Sequence, residues 1–155
     1  MNHMERPRVD TLEKAECWDL LKSHVIGRLA VVVDGHPDIF PLNYAVGNGH
    51  VVFRTAGGTK LQGAIDQALV ALEIDGYDDR SEHAWSVVLR GTAREITHPA
   101  EVSAANALPL EPWQGGTKAH LVRIDSLSLS GRRFPVTKPD IWKTPVSDPR
   151  RSTFE

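Results

Sequence analysis

The chain contains 155 residues, which is enough for one domain with a single substantial core and too few for two domains of ordinary size. Its 18 lysines and arginines against 20 aspartates and glutamates give a formal net charge of -2, so bulk charge provides no nucleic-acid-binding surface. Apolar residues make up 41% and charged residues 25%, which excludes intrinsic disorder and a disulfide scaffold.

The sequence also offers no membrane segment. Its longest uncharged apolar stretch, Leu29–Val33, is far shorter than the roughly 20 residues of a spanning helix. The N-terminus lacks the apolar centre of a signal peptide. The single cysteine, Cys17, cannot form an internal disulfide, which agrees with a reducing compartment. We therefore expect a cytoplasmic protein with no membrane and no nucleic-acid partner.

The N-terminal part predicts one helix after a flexible lead-in. Residues 1–9 carry charges and a proline without periodicity. Asp10 and Glu13 have the spacing of a capping box, which predicts a helix start at this point. Apolar residues then recur at three- and four-residue spacing, so the helix should bury one face and cover an open end of the fold.

Three strands follow, joined by tight turns. Val25–Val33 is almost continuously apolar, which predicts a strand covered on both sides. Residues 39–46 alternate in character, and residues 51–55 form a third short strand. Pro41 cannot donate a ladder hydrogen bond, so it indicates an edge, a bulge or a gap that faces a ligand.

The remaining chain alternates between helix and strand patterns. The predicted elements are a helix over Leu61–Leu69, a strand over Val70–Tyr77, an acidic loop over Asp75–Glu82, a long strand over Trp85–Thr97 bent at Gly91, a helix over Pro99–Leu108 and one or two final strands over Ala119–Phe134, broken near Gly131. The sum is a mainly β (α+β) fold, with six or seven antiparallel strands in a small barrel flanked by short helices.

These patterns divide the chain into a lead-in over residues 1–9, a domain over residues 10–134 and a C-terminal arm over residues 135–155. The arm holds four of the ten prolines and little periodicity. It is either an extended arm that packs on the body or on a partner, or a disordered tail. Trp142 favours packing, but one aromatic residue does not decide between them.

The segment VFRTAGGTKL, residues 52–61, carries the most chemical information. A strand ends at Arg54 and Thr55, turns through adjacent glycines and starts a helix at Thr59 and Lys60. Two cations, two hydroxyls and a glycine turn could hold one phosphate. The spacing is neither GxxxxGK[ST] nor GxGxxG, so a nucleoside triphosphate is not indicated. The local pattern alone fits at least as well a simple turn in which Thr59 and Gln62 cap a helix.

Other chemistry has no recognisable motif. The sequence contains no HExxH, CxxC or HxH cluster, and its seven histidines are scattered, so no metal site is predicted. Cys17 has no base nearby in sequence and is expected to be inert. No catalytic residue is identified. Five arginines could contact an anionic substrate or form surface ion pairs, namely Arg90, Arg94, Arg123, Arg132 and Arg133.

Three segments resemble a known family in their order along the chain and in their approximate spacing. They are Val25–Leu29, Pro41–Tyr44, and Phe53–Thr55 with Gly58–Lys60. Over about residues 12–134 the chain resembles the pyridoxamine 5'-phosphate oxidase-like family of the FMN-binding split-barrel superfamily. The resemblance implies a six-stranded antiparallel split β-barrel and a homodimer that binds FMN in the groove between its chains.

The resemblance also implies roles for individual residues. Cofactor-binding residues would be Asn43 and Tyr44 along the isoalloxazine ring, Arg54, Thr55, Gly58, Thr59 and Lys60 around the phosphate, and Trp85 and Ser86 approaching the cofactor, from either subunit. For Trp85, a barrel aromatic at a strand entry is an equally good interpretation.

The chain departs from the oxidase that makes pyridoxal phosphate, because it is shorter and lacks that enzyme's C-terminal arginine-histidine motif. The leading hypothesis is therefore an FMN-dependent oxidoreductase that reduces a small conjugated or aromatic acceptor. The deazaflavin F420 is the alternative cofactor. A non-enzymatic flavin- or haem-binding dimer is the third hypothesis.

Overall fold

A computed structural model of the chain describes residues 8–110 and 120–136, which form eight strands and three helices. Most of the predicted lead-in and of the C-terminal arm, including Trp142, lies outside these residues. The strands are Asp10–Thr11 (β1), Ile26–Val33 (β2), His36–Asn43 (β3), Ala45–Val46 (β4), His50–Thr55 (β5), Leu69–Asp78 (β6), His83–Ile96 (β7) and His120–Pro135 (β8). The helices are Lys14–Ser23 (α1), Lys60–Ile65 (α2) and Pro99–Asn106 (α3).

The strands form one antiparallel sheet in the order β3-β2-β6-β7-β8-β5-β4, and β1 pairs with β8. Only Tyr44 separates β3, at one end of this order, from β4 at the other end. The sheet must therefore curl so that its two ends meet. The predicted split-barrel fold is confirmed. The strand count differs from six because the second predicted strand is interrupted at Tyr44 and because β1 adds a two-residue strand.

The barrel interior is filled by one apolar cluster, and a smaller cluster lies outside it. Alternate residues of the long strands point inward, as the period of a strand requires. Fully buried members of the main cluster include Leu29, Phe53, Leu72, Leu89 and Ile124. α3 covers the second cluster, which consists of Ala45, Val52, Ile96, Ala105 and Leu121.

The prediction that β2 is covered on both sides is wrong. Burial alternates along the strand, and Val32 is 61% exposed. The reason is that β2 lies between β3 and β6 in a single curled sheet, so only its inner face meets the core. Apolar side chains therefore remain on the outer face of the barrel.

Two helix boundaries also differ from the prediction. α1 is capped by Glu13, which forms a reciprocal capping box with Glu16, whereas Asp10 belongs to β1. α2 ends at Ile65 because Gln67 adopts a left-handed conformation, with φ of 56°. Leu69 then enters β6, where it pairs with β7.

Glycines shape the two longest strands. A Cβ at Gly91 would lie 2.1 Å from the carbonyl oxygen of Asp125, so glycine is required where β7 crosses the bulge. This confirms the irregularity predicted at Gly91. The break predicted near Gly131 is wrong, since β8 is continuous there and the missing side chain makes room for the Cys17 thiol. β6 also takes in the first half of the predicted acidic loop, residues 75–78, which leaves residues 79–82 as the hairpin connection to β7.

Candidate functional site

A surface cavity of about 240 Å³ lies between β3 and the turn that joins β5 to α2. We call it the β3–α2 cavity. Its apolar wall comes from the edge strand β3, and its polar wall comes from the predicted phosphate segment. The lining residues are Phe40, Pro41, Leu42, Arg54, Thr55, Ala56, Thr59, Lys60 and Leu61. The structure thus brings five residues singled out in the sequence, Pro41, Arg54, Thr55, Thr59 and Lys60, to one place.

Arg54 and Lys60 supply the positive charge of this cavity. Within residues 8–110 and 120–136 neither side chain forms an ion pair, whereas Arg94, Arg123 and Arg133 each face a carboxylate. Nη2 of Arg54 donates a hydrogen bond of 2.5 Å to Oδ1 of Asn106 at the end of α3. Because an amide oxygen does not neutralise a guanidinium, both cations remain available to an anion.

The two threonine hydroxyls already have protein partners. Oγ1 of Thr59 accepts a hydrogen bond of 3.1 Å from the backbone of Gln62 and donates to the carbonyl of Ala56, so Thr59 caps α2. The hydroxyl of Thr55 donates to the side chain of Gln62. Gly58 has a φ of +75°, which favours glycine and lets the turn bring Thr59 and Lys60 back over β5.

Asn43 lies two residues beyond Pro41 on β3, with an amide nitrogen that is buried and has no hydrogen-bond acceptor among the described residues. A buried donor without a partner costs free energy unless something else accepts from it. Pro41 pairs only with Arg28 of β2, because β3 is at the end of the sheet order. This edge of β3 therefore has a side-chain donor without a partner and backbone groups that no second strand pairs along the sheet order.

Three other predicted site residues lie apart from the β3–α2 cavity within one chain. Tyr44 is 2% exposed, and its hydroxyl donates a hydrogen bond of 2.7 Å to the carbonyl of Leu21. Trp85 lies at the start of β7, buried with its ring beside that of His24. Ser86 follows it on the opposite, outer face, as strand alternation requires.

Strand register places Arg54 and the pair Trp85 and Ser86 opposite different ends of β8. Arg54 is opposite Leu121 on β8, and Trp85 is opposite Arg133. The path along β8 between these two partners is about 40 Å at the usual rise of a strand. Because β8 curls with the sheet, this path is an upper limit on the distance between Trp85 and Arg54, and the cofactor contacts of Trp85 and Ser86 stay predictions.

The sequence analysis missed a polar network behind the phosphate segment. Gln62 donates a hydrogen bond of 3.3 Å to Glu95 on β7, and Nδ1 of His120 on β8 is 2.5 Å from the other carboxylate oxygen of Glu95. Asn106, which contacts Arg54, was also missed. These partners are 25 to 52 residues apart in sequence, and only the strand pairing brings them together.

The described residues contain no group of three or more histidine, cysteine, aspartate or glutamate side chains arranged for a metal ion. Cys17 is fully buried, and burial raises the pKa of its thiol, which disfavours the nucleophilic thiolate. In the part of the chain that the structure describes, none of the helices has the length and apolar character needed to cross a bilayer.

Comparisons with known proteins agree with this fold. An FAD binding protein of Mycobacterium smegmatis is 42% identical over 83% of this chain and 100% of its own, with a TM-score of 0.75. A protein of unknown function from Corynebacterium diphtheriae is 32% identical over 81% of this chain and 98% of its own, with a TM-score of 0.68. An uncharacterized protein of Mycobacterium tuberculosis, Rv0080, is 32% identical over 79% of this chain and 84% of its own.

The family model described as pyridoxamine 5'-phosphate oxidase matches residues 13–133. This range includes α1, strands β2 to β7, most of β8 and the β3–α2 cavity. The chain therefore belongs to the pyridoxamine 5'-phosphate oxidase-like family.

Proposed function

We propose that this protein is an FMN-dependent oxidoreductase that holds the cofactor phosphate on Arg54 and Lys60 and works as a homodimer on a small conjugated or aromatic acceptor. The observation that carries the proposal is a cavity with two cations, neither ion-paired among the described residues, beside an apolar strand edge. Such a cavity fits a molecule with an anionic end and an aromatic body.

The dimensions of the cavity fit the phosphate end of a flavin and not the whole molecule. Sites that enclose a cofactor commonly measure about 300–1,000 Å³, and the β3–α2 cavity measures about 240 Å³. The ring would therefore extend along β3 past Pro41, where the unpaired amide of Asn43 can donate to a carbonyl oxygen or ring nitrogen. When bound, the flavin would supply hydride-transfer chemistry, and the protein would supply position and charge.

The relatives support the binding of a flavin, but they do not single out FMN. The M. smegmatis protein at 42% identity is described as FAD binding, and FAD contains riboflavin phosphate joined to a second phosphate and adenosine. The proposed contacts of Arg54 and Lys60 serve either molecule. A cytoplasmic location is part of the proposal, and the buried free thiol of Cys17 is consistent with a reducing compartment.

An exposed patch supports the homodimer. Val32, Ile39, Leu69 and Leu127 are between 61% and 74% exposed, and they lie on the outer faces of four strands of the curled sheet. We call these four side chains the outer apolar patch. A shallow groove of about 480 Å³ runs between several of the same strands. Contiguous exposed apolar surface commonly marks a protein interface, and a second chain would cover it.

A binding experiment tests the phosphate assignment. Arg54→Ala combined with Lys60→Ala should weaken FMN binding by about 100-fold, because two charge-assisted contacts are lost. Binding of riboflavin, which has no phosphate, should change less than about three-fold. Fluorescence titration of both ligands measures this difference. Lys22→Ala with Arg80→Ala removes the same net charge from other exposed surfaces and should leave both affinities unchanged.

Equal losses for FMN and riboflavin would overturn the phosphate assignment. Parallel titrations with FAD, F420 and haem identify the preferred cofactor, and tighter binding of F420 or haem than of any flavin would overturn the flavin proposal. Tight flavin binding without turnover of aromatic acceptors, with reduced nicotinamide or reduced F420 as donor, would favour the non-enzymatic alternative.

A further inference from the structure

A continuous hydrogen-bonded chain connects the phosphate segment to the start of β8, where His120 is the strand partner of Thr55. Thr55 donates to Gln62, Gln62 donates to Glu95, and the ring of His120 contacts the second carboxylate oxygen of Glu95. The chain joins β5, α2, β7 and β8 at the point where the turn of Gly57 and Gly58 leaves the barrel.

The geometry fixes the orientation of the His120 ring. An ionised carboxylate only accepts hydrogen bonds, so Nδ1 of His120, at 2.5 Å from Glu95, carries a hydrogen. Nε2 then points toward the turn, since a Cβ added to Gly57 would lie 2.8 Å from this nitrogen. The ring occupies the space beneath Gly57, and glycine is needed there for the ring to fit.

The charge on this ring depends on whether Nε2 also carries a hydrogen. Histidine side chains change charge between about pH 5 and 8. Glu95 of β7 is the charged group in contact with His120. On the adjoining elements, Arg54 precedes Thr55, the strand partner of His120, and Lys60 is the first residue of α2. Arg123, the next cation along β8, pairs with Asp125 at 2.6 Å.

We propose that His120, held by Glu95, is a positioning residue of the phosphate site: it supports the turn at Gly57 from beneath and, when protonated, adds a third positive charge behind Arg54 and Lys60. The inference rests on the proposed function, because it concerns the phosphate of the cofactor. An anion in the β3–α2 cavity would attract a positive charge on the His120 ring and would therefore favour the protonated form of the ring. Phosphate affinity should therefore increase as His120 gains its proton.

The test compares FMN with riboflavin at pH 6.0 and pH 8.5 in the full chain and in His120→Gln. Glutamine can still donate to Glu95 but does not titrate in this range. The measured quantity is the ratio of the riboflavin Kd to the FMN Kd. At pH 6.0 this ratio should be about five-fold larger in the unsubstituted chain than in the variant. At pH 8.5 the unsubstituted chain and the variant should have the same ratio.

Two controls separate this effect from others. The phosphate of FMN itself changes charge near pH 6, but this change is common to both proteins and cancels in the comparison. His36→Gln removes an exposed histidine at the start of β3 and should reproduce the unsubstituted profile. Glu95→Gln, which weakens the hold on the ring, should also reduce the ratio at pH 6.0. Thermal unfolding verifies that each variant is folded.

The outcomes distinguish this inference from the proposed function. If FMN binds more tightly than riboflavin but the pH profiles of the unsubstituted chain and His120→Gln coincide, His120 has no such role and the proposed function stands. If no flavin binds at either pH, the proposed function is overturned, and the inference falls with it. A five-fold difference at pH 6.0 that disappears at pH 8.5 supports both.

Discussion

At the scale of single residues, Tyr44 shows how a residue in a recognised motif can have a structural task. It interrupts the strand between β3 and β4, and its hydroxyl donates to the carbonyl of Leu21 in the last turn of α1. Burial raises the pKa of its phenol well above the ordinary value, so the hydroxyl stays protonated and remains a donor. The side chain therefore holds α1 against the barrel.

Tyr44→Phe should lower the free energy of unfolding by about 1–1.5 kcal/mol, because the buried carbonyl of Leu21 loses its donor from the phenol. Urea unfolding measures the loss. If the contact is only structural, the FMN Kd of the folded variant stays unchanged, and a large increase would place Tyr44 against the cofactor instead. Tyr77→Phe changes an exposed tyrosine of β6 and should have no effect on either quantity.

The residues of the phosphate segment could be predicted because they are adjacent in sequence. Arg54, Thr59 and Lys60 lie within seven positions of one another, and a turn between a strand and a helix necessarily brings them close. Asn106 and His120 could not be predicted, since their contacts depend on where α3 docks and on which strand pairs with β5. The sequence contains no local signal for either contact.

At the scale of elements, charged side chains fasten α3 to the barrel. Arg94 of β7 lies 2.9 Å from Glu101 of α3 and 3.2 Å from Asp125 of β8. The hydrogen bond from Arg94 lowers the pKa of Glu101. Burial acts to raise the pKa of Asp125, but the hydrogen bonds from Arg123 and Arg94 outweigh it, and the net shift is downward. Both carboxylates are therefore more acidic in the folded protein.

This arrangement predicts a specific acid sensitivity. A carboxyl whose pKa is lowered by folding stabilises the native state above its ordinary pKa of about 4 and loses that contribution as the pH falls through the folded value. Arg94→Gln should therefore lower Tm at pH 7, and the difference from the unsubstituted protein should shrink below about pH 3. Calorimetry across this pH range measures the difference in Tm between the variant and the unsubstituted protein, and Arg80→Gln is the surface control. A difference in Tm that stays constant down to pH 2.5 would show that Arg94 does not stabilise the protein through these ionised carboxylates.

Elements were predicted well where the local pattern matches their final environment. The strand over residues 51–55 and the proline-started helix α3 occur close to where periodicity placed them. The burial of β2 was mispredicted because a continuous apolar run does not reveal which face a sheet leaves uncovered. The end of α2 was mispredicted because pairing of Leu69 with β7 overrides helical spacing.

At the scale of the whole molecule, the outer apolar patch should control assembly. Leu69 is 74% exposed, so Leu69→Asp adds a charge with little cost to the fold of a single chain. We expect light scattering to give twice the chain mass of 17.1 kDa for the unsubstituted protein and 17.1 kDa for this variant. Val9→Asp, at an exposed apolar position beside β1, is the matched control and should remain dimeric. A monomer for the unsubstituted chain would exclude the homodimer.

The position of β8 in the sheet has a consequence for biosynthesis. This strand pairs with β1, β5 and β7, yet it is the last strand of the described chain. During translation, β5 and β7 therefore expose unpaired backbone edges until residue 135 has left the ribosome, and such edges are sites of aggregation. Hairpins β2–β3 and β6–β7 can form early, but the barrel can close only after β8 has been synthesised. Nascent chains that stall before residue 120 would lack the strand that joins the two parts of the sheet.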